Sequence, residues 1–268
     1  MLAPSPVVKQ TAKTALIDKF LSSVAVCCVL IFTYFICSLI ASLVSVFAAE
    51  IGFVVVLLAS FVFALSPLTL GVLYYFRRLI WKCEDSALVI FKYFSSVKEY
   101  KRALEFTLLL LARFAVAAVI AFFPCLVIWI LSNESVYEVF GMSLPVWASN
   151  LWALNSFVVI FAILALLFIM LKFYLAPFIF VSNDEIDSAE AVNMSTIISK
   201  RTGGDFFGLV VSFSGWILLS LFVAPLIFTL PYFCASYSVH CRFAITAYNR
   251  DVDHFNTINT PSYSVDEF

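Results

Sequence analysis

Six long apolar stretches, separated by short polar segments, make up most of the chain. They predict transmembrane helices at about residues 21–48, 52–79, 104–131, 151–172, 206–223 and 226–248. Because an α-helix rises about 1.5 Å per residue, stretches of this length can cross about 30 Å of bilayer hydrocarbon. The apolar residues follow one another without the alternation that is typical of half-buried strands. The sequence therefore predicts an all-α fold, a polytopic transmembrane helical bundle with six spans.

Polar segments flank the apolar region and divide the chain into three parts. Residues 1–20 form an N-terminal segment, residues 21–249 the transmembrane domain, and residues 250–268 a polar tail that we expect to be disordered. The first span is longer than the core of a cleaved secretory signal, which has about 7 to 15 apolar residues. Only Ala224 and Pro225 separate the fifth and sixth spans, which predicts a tight hairpin there.

The sixteen Lys and Arg residues are unevenly distributed between the two sides of the predicted membrane. Fourteen of them lie before the first span, between the second and third, between the fourth and fifth, and at the end of the sixth. The other two, Arg113 and Lys172, lie in the halves of their helices that face the same side, whereas the remaining connections contain none. Because cytoplasmic loops carry the excess of Lys and Arg, both termini are expected in the cytoplasm.

One cytoplasmic segment, residues 183–202, has the pattern of a short amphipathic helix at the membrane surface. Ser182 and Glu185 match a capping box before it, and Gly203 and Gly204 follow it as a stop signal. We therefore expect a helix that begins near residue 183 and ends near residue 202.

A second short amphipathic helix is predicted at residues 84–94. Its expected inward-facing side chains are Leu88, Phe91 and Phe94. The two surface segments share the tripeptide Asp-Ser-Ala, at residues 85–87 and 187–189. This match is compatible with an internal repeat of span, surface helix and span, as found in many transporters.

Composition agrees with a membrane protein and narrows the classes of function. The chain of 268 residues is 63% hydrophobic and only 12% charged, and its net charge of −1 gives no basis for binding nucleic acid. Its mean hydropathy is +1.05. The seven cysteines form no CxxC pair and the two histidines no metal-binding motif. No protease, hydrolase or phosphate-binding motif is present, so we expect a protein that is not an enzyme and uses no metal or cofactor.

Basic side chains near the inner ends of the predicted spans form the first candidate site. In the inner leaflet they could bind a lipid phosphate or another anion. The alternative is that they only anchor the helices at the interface or pair with Glu105 or Asp205. The candidate residues are Arg77, Arg78, Arg113, Lys172 and Arg242.

A polar stripe on the sixth predicted span forms the second candidate site. Tyr232, Ser236 and His240 follow one another at intervals of four residues, which places them on one face of a helix. Such a stripe could line a wet path or relay protons. The alternative is that it is buried and forms hydrogen bonds to neighbouring helices.

Four short segments form an ordered set along the chain. They are residues 66–71 (SPLTLG), residues 176–179 (APFI) with 187–189 (DSA), residues 214–220 (SGWILLS), and Pro231-Tyr232 with Tyr237. In this set the chain resembles a bacterial membrane family known as domain of unknown function 975. The resemblance implies a multi-pass protein of a bacterial plasma membrane. It implies no reaction, because the family has no established one.

Together these features predict a non-enzymatic, multi-pass membrane protein that interacts with lipids or other components of the cell envelope. Its expected partners are membrane lipids, and a protein partner or a homo-oligomer is left open. The alternative is a small-solute transporter or channel with a path along the sixth predicted span.

Overall fold

The computed structural model describes residues 4–83, 86–133, 138, 151–220 and 223–259. All regular secondary structure within these ranges is helical, which confirms the predicted all-α class. A π-helical turn at Phe61–Leu65 joins α2 to α3, and a 3₁₀ helix at Ala87–Phe94 precedes α4. The α-helices are α1 (Ser5–Ile17), α2 (Phe20–Ser60), α3 (Ser66–Ile80), α4 (Val97–Ser132), α5 (Leu151–Met170), α6 (Ala176–Ser182), α7 (Ser188–Ser212), α8 (Ser214–Leu219) and α9 (Val223–Asn259).

The chain from α2 to α3 folds back on itself. The Ser23 hydroxyl lies 3.3 Å from the Tyr75 hydroxyl, and the Lys19 ammonium donates to the Cys83 carbonyl over 3.2 Å. A straight helix as long as α2 would extend about 60 Å, which would separate these pairs. The chain therefore reverses its direction between Ser23 and Tyr75.

Three helices in the described ranges are long and apolar enough to cross a membrane: Phe20–Phe47, Glu50–Ile80 and Val97–Ser132. A shorter apolar helix, Leu154–Met170, corresponds to the fourth predicted span. The helices at the fifth and sixth predicted spans are not among these candidates. The six-span prediction is thus confirmed only in its coarser form, a helical protein with several candidate spans.

The candidate spans expose their apolar side chains. Only 11% of the most apolar window of Val97–Ser132 is buried within the protein. Large apolar side chains also project outward from α2 and α5, among them Phe47, Ile51, Phe161 and Phe168. An apolar surface of this extent is far larger than soluble proteins expose, and lipid is the solvent that it fits.

The buried core consists of two clusters that share α3, α7 and α9. The first joins these helices to α1 and α2, and the second joins them to α4 and α6. Gly71 of α3 allows the 3₁₀ helix to approach closely, because a Cβ atom at this position would lie 1.8 Å from the Ile90 carbonyl oxygen. Close packing at α3 therefore fixes the position of the 3₁₀ helix.

Hydroxyl groups stabilise the break between α5 and α6. The carbonyl oxygen of Lys172 accepts hydrogen bonds from Ser195 and Ser199, each over 3.0 Å. The carbonyl oxygen of Tyr174 accepts one from the Tyr237 hydroxyl. These donors from α7 and α9 satisfy carbonyl groups that the end of α5 leaves without helical partners.

The predicted boundaries of the surface helix at residues 183–202 are wrong. Helix α7 begins at Ser188, and Asn183 instead accepts a hydrogen bond from the Glu185 amide in a turn. The helix then continues through Gly203 and Gly204 to Ser212. A glycine costs about 1 kcal/mol in a helix interior, and the buried residues of α7 on both sides of the pair favour continuation.

The predicted inward face of the segment at residues 84–94 is also wrong. Leu88 is 72% exposed and Phe91 and Phe94 are exposed as well, whereas Ile90 and Tyr93 are buried. The segment forms a 3₁₀ helix, in which every third residue lies on the same face. Two apolar stripes therefore compete, and packing against α3 selects the stripe of Ile90 and Tyr93.

Both ends of the chain contain more helix than predicted. In the N-terminal segment, α1 buries Val8, Ala12 and Leu16 against α9 and its neighbours. At the other end α9 continues to Asn259, which is contrary to the disorder expected from residue 250, and residues 260–268 lie outside the described ranges.

The tight hairpin predicted at Ala224 and Pro225 is not found there. Both residues lie within the first turn of α9, where proline is well tolerated. The preceding helix α8 ends at Leu219, so the connection lies between these two helices, and residues 221–222 lie outside the described ranges.

The proposed internal repeat gains no support from the described elements. Ser86 caps the 3₁₀ helix by accepting a hydrogen bond from the Leu88 amide, whereas Asp187 precedes the long helix α7 without a side-chain cap. Asp85 lies outside the described ranges. The two segments that share the tripeptide thus form different kinds of helix.

Candidate functional site

Two of the predicted basic residues meet around Trp81, the residue that follows α3. The guanidinium carbon of Arg77 lies 5.4 Å from the Trp81 ring centroid, and that of Arg242 lies 5.0 Å from it. Trp81 itself is exposed. Contacts at these distances are in the range of cation–π attraction. We call Arg77, Trp81 and Arg242 the Trp81 cluster.

Each arginine of the Trp81 cluster also holds a backbone carbonyl at a helix end. Arg77 donates to the carbonyl oxygen of Val181 near the end of α6 over 3.0 Å. Arg242 donates to the carbonyl oxygen of Ile80 at the end of α3 over 3.5 Å. Cations are favourable at helix C-termini, where carbonyl groups lack helical partners. The cluster is therefore positioned by α3, α6 and α9 together.

Arg78 and Arg77 both contact the Tyr74 ring, with guanidinium carbons 5.7 Å and 5.9 Å from its centroid. The Arg78 guanidinium donates to the Tyr74 hydroxyl over 3.1 Å. The Lys92 ammonium lies 4.2 Å from the centroid of the same Tyr74 ring. Tyr74 thus connects Arg78 to Arg77 of the Trp81 cluster and to Lys92 of the 3₁₀ helix.

Arg113 and Lys172 do not join the Trp81 cluster in the described part of the chain. Both side chains are exposed. Their neighbours Phe114 and Phe173 contact each other edge to face, with ring centroids 5.5 Å apart. Arg113 on α4 and Lys172 in the turn after α5 therefore lie apart from the other three residues of the predicted group.

A charged cluster that the sequence did not reveal surrounds Asp184. Its carboxylate accepts hydrogen bonds from Lys92 over 2.6 Å and from Arg102 over 3.4 Å. Burial raises the pKa of Asp184, but the hydrogen bond and charge of Lys92, together with Arg102, outweigh this effect, so the pKa lies below its ordinary value. The polar residues 182–185 were the sequence signal for this cluster. Their match to a capping box led instead to the prediction of a helix start.

The polar stripe of the sixth predicted span is enclosed by protein over most of its length. His240 is 1% exposed and Ser236 is completely buried. Tyr232 is half-buried, and its hydroxyl lies 3.5 Å from the Lys9 carbonyl oxygen. The described residues provide no hydrogen-bond partner for the Ser236 hydroxyl. The middle of the stripe, at Ser236, is therefore buried, and its Tyr232 end contacts α1.

His240 belongs to a buried hydrogen-bonded group. Its Nε2 atom lies 3.1 Å from the Tyr174 hydroxyl, which also lies 2.7 Å from the Thr202 hydroxyl. The Tyr174 ring stacks on Phe206 with centroids 4.1 Å apart. This group connects the turn after α5 to α7 and α9, as expected for polar residues that form hydrogen bonds between helices.

The described residues bring together no group of three or more His, Cys, Asp or Glu side chains that could hold a metal ion. The cysteines are free thiols, and Cys27, Cys37, Cys125 and Cys241 are buried. The expectation of a non-enzymatic protein without metal or cofactor stays a prediction.

No protein-family model, curated protein or solved structure matches this chain. The resemblance to domain of unknown function 975 stays a prediction, and so does the bacterial plasma membrane that it implies.

Proposed function

We propose that the protein is an integral membrane protein that binds the headgroups of anionic lipids through the Trp81 cluster. The observation that carries this proposal is an exposed indole ring whose centroid lies 5.4 Å and 5.0 Å from the carbon atoms of two guanidinium groups. Tryptophan and arginine are both favoured at the interface between lipid and water, where the ring contacts the acyl boundary and the cation contacts phosphate.

The charge around the Trp81 cluster supports an anionic ligand. Among the described residues, neither Arg77 nor Arg242 forms an ion pair with a carboxylate. Their hydrogen bonds to carbonyl oxygens orient the guanidinium groups and leave the positive charge uncompensated. A lipid phosphate or a similar anion can accept charge-assisted hydrogen bonds from the remaining N–H groups.

The membrane orientation in this proposal has both termini and the Trp81 cluster on the cytoplasmic side. It is supported by the segregation of Lys and Arg to one side of the candidate spans. Reporter fusions at Glu138 and after Phe268 test it in cells. We expect an external signal at Glu138 and a cytoplasmic signal at Phe268, and an external signal at Phe268 refutes the orientation.

The lipid contact can be tested by the thermal stability of the purified full-length protein in a non-ionic detergent. A ligand that binds only the folded state raises the unfolding midpoint. We expect added phosphatidylglycerol to raise the midpoint more than phosphatidylcholine with the same acyl chains. The double variant Arg77→Gln, Arg242→Gln should lose most of this difference.

Arg201→Gln provides the matched control, because the Arg201 guanidinium is exposed and already paired with Asp251 over 2.9 Å. Its response to phosphatidylglycerol should equal that of the wild type. If the double variant also responds like the wild type, the Trp81 cluster is not a headgroup site.

The alternative of a transporter or channel along the sixth predicted span stays a prediction. The enclosure of Ser236 and His240 by neighbouring helices gives it no additional support.

A further inference from the structure

An apolar groove of about 540 Å³ lies beside the N-terminal helix. Its walls come from α1, the first residue of α2, α8 and the beginning of α9. The Phe20 and Phe228 rings stack in this groove with centroids 5.9 Å apart. We call it the α1 groove, and its lining includes Lys13, Leu16, Ile17, Phe20, Trp216 and Phe228.

Among the described residues that line the groove, Lys13 is the one cation and none is a carboxylate. The neighbouring cation Lys9 is occupied elsewhere, because it donates to the Ser212 carbonyl over 2.7 Å and lies 4.2 Å from the Phe213 ring centroid. The described residues give the Lys13 side chain no ion pair and no hydrogen bond. The charge of Lys13 is thus left for a ligand.

The α1 groove is continuous with apolar surface on the candidate span Phe20–Phe47. Leu21, next to the groove residue Phe20, is 83% exposed, and Ile17 and Leu218 are also largely exposed. The volume lies within the range of about 300–1,000 Å³ that is usual for small-ligand sites, which are mostly apolar with few polar groups. The α1 groove, with its apolar walls and Lys13 in its lining, therefore matches an alkyl chain attached to an anionic group.

We propose that an anionic glycerophospholipid occupies the α1 groove, with one acyl chain along Leu16, Phe20 and Phe228 and its phosphate against Lys13. The proposal rests on the proposed insertion into lipid, but it does not depend on the headgroup contact at Trp81. Because the acyl chain enters the groove from bilayer hydrocarbon and not from water, van der Waals packing against the groove walls holds the chain, and Lys13 provides the preference for anionic lipid.

Photochemical crosslinking of the full-length protein tests the proposal. The protein is reconstituted in phosphatidylcholine vesicles that contain a small fraction of phosphatidylglycerol with a diazirine in one acyl chain. After irradiation, mass spectrometry locates the attached lipid. We expect crosslinks in the peptides that contain Leu16, Trp216 and Phe228, and several-fold less labelling there by a phosphatidylcholine probe with the same diazirine.

Two variants of α1 separate the charge from the shape of the groove. Lys13→Gln should reduce labelling by the anionic probe several-fold and leave labelling by the phosphatidylcholine probe unchanged. Ile17→Trp fills part of the groove and should reduce labelling by both probes. Val7→Trp is the matched control, since Val7 is exposed on the same helix and lies outside the groove lining, and it should label like the wild type.

Equal labelling by the two probes, together with no effect of Lys13→Gln, would overturn the proposal, and so would crosslinks confined to other peptides. This failure is distinct from that of the proposed function, which is read from the thermal response of the Arg77→Gln, Arg242→Gln variant. That variant should retain wild-type labelling of the groove.

Discussion

The ammonium group of Lys9 in α1 donates a hydrogen bond to the carbonyl oxygen of Ser212 at the end of α7, over 2.7 Å. It also lies over the Phe213 ring. A helix C-terminus has free carbonyl groups and negative partial charge, so a lysine is a suitable partner there. This contact explains why the polar N-terminal segment is an ordered part of the fold.

Replacing Lys9 by Met should destabilise the protein. The variant loses a hydrogen bond to a charged donor and a cation–π contact, which together contribute about 1–2 kcal/mol at a partly exposed site. Unfolding can be followed in detergent with a thiol-reactive dye, because Cys27 and Cys241 are buried in the folded protein. Lys13→Met should leave stability unchanged, and an equal loss in both variants would contradict the role assigned to Lys9.

Replacing Gly71 by Ala should displace the 3₁₀ helix. The added Cβ would lie 1.8 Å from the carbonyl oxygen of Ile90, and backbone cannot move aside as a flexible side chain can. We expect a loss of at least about 2 kcal/mol in unfolding free energy.

The matched control for Gly71 is Gly208→Ala in α7, where a Cβ would meet no atom within 4 Å. This variant should be as stable as the wild type or gain up to about 1 kcal/mol, because alanine favours a helix more than glycine does. Wild-type stability of Gly71→Ala would show that the 3₁₀ helix is not packed on α3 in this way.

The Asp184 cluster should make stability depend on pH in the acid range. Lys92 and Arg102 hold the pKa of Asp184 below its ordinary value, so the folded state favours the carboxylate. The stabilisation is fully present above the pKa of the unfolded chain and is lost as pH falls through the lower pKa of the folded protein. Because the Asp184 side chain is 54% exposed, the effect should be under about 1 kcal/mol.

The comparison for this cluster is wild type against Asp184→Asn, with unfolding followed by intrinsic fluorescence at several pH values. The wild type should be the more stable at neutral pH, and the difference should disappear in strong acid. A difference that stays constant across this range would mean that the charge of Asp184 is not involved.

Replacing Tyr174 by Phe should weaken the buried group around His240. The change removes the hydroxyl that lies 3.1 Å from His240 and 2.7 Å from Thr202. It should cost about 1–2 kcal/mol, since it leaves His240 without this partner. Tyr34→Phe, at an exposed position, should change stability by no more than about 0.5 kcal/mol.

A double-mutant cycle of Tyr174→Phe with Thr202→Val measures the coupling between the two hydroxyl groups. We expect a coupling energy of at least about 0.5 kcal/mol, as usual for residues in direct contact. Purely additive effects would indicate that the hydrogen bond between Tyr174 and Thr202 contributes nothing to stability.

The sequence alone determined the helical class and the positions of the first three candidate spans. Backbone groups in hydrocarbon have no water to bind, so a long apolar run must form its hydrogen bonds within a helix. This constraint is local and can be read from the residues.

Tertiary packing decided the features for which local signals were equal or weak. In the 3₁₀ helix two apolar stripes were available, and the approach to Gly71 selected the one with Ile90 and Tyr93. In α7 the preference of glycine for helix ends was overcome by packing on both sides of Gly203 and Gly204.

The candidate site shows the same division between local pattern and tertiary structure. The sequence identified Arg77 and Arg242 as cations near helix ends, but only the packing of α3 against α9 brings both to Trp81. The sequence could not show that Arg113 and Lys172 lie outside the Trp81 cluster, because their distance from it depends on helices that are remote in sequence. Residue type sets what each side chain can bind, and the contacts between helices decide which side chains can bind one ligand together.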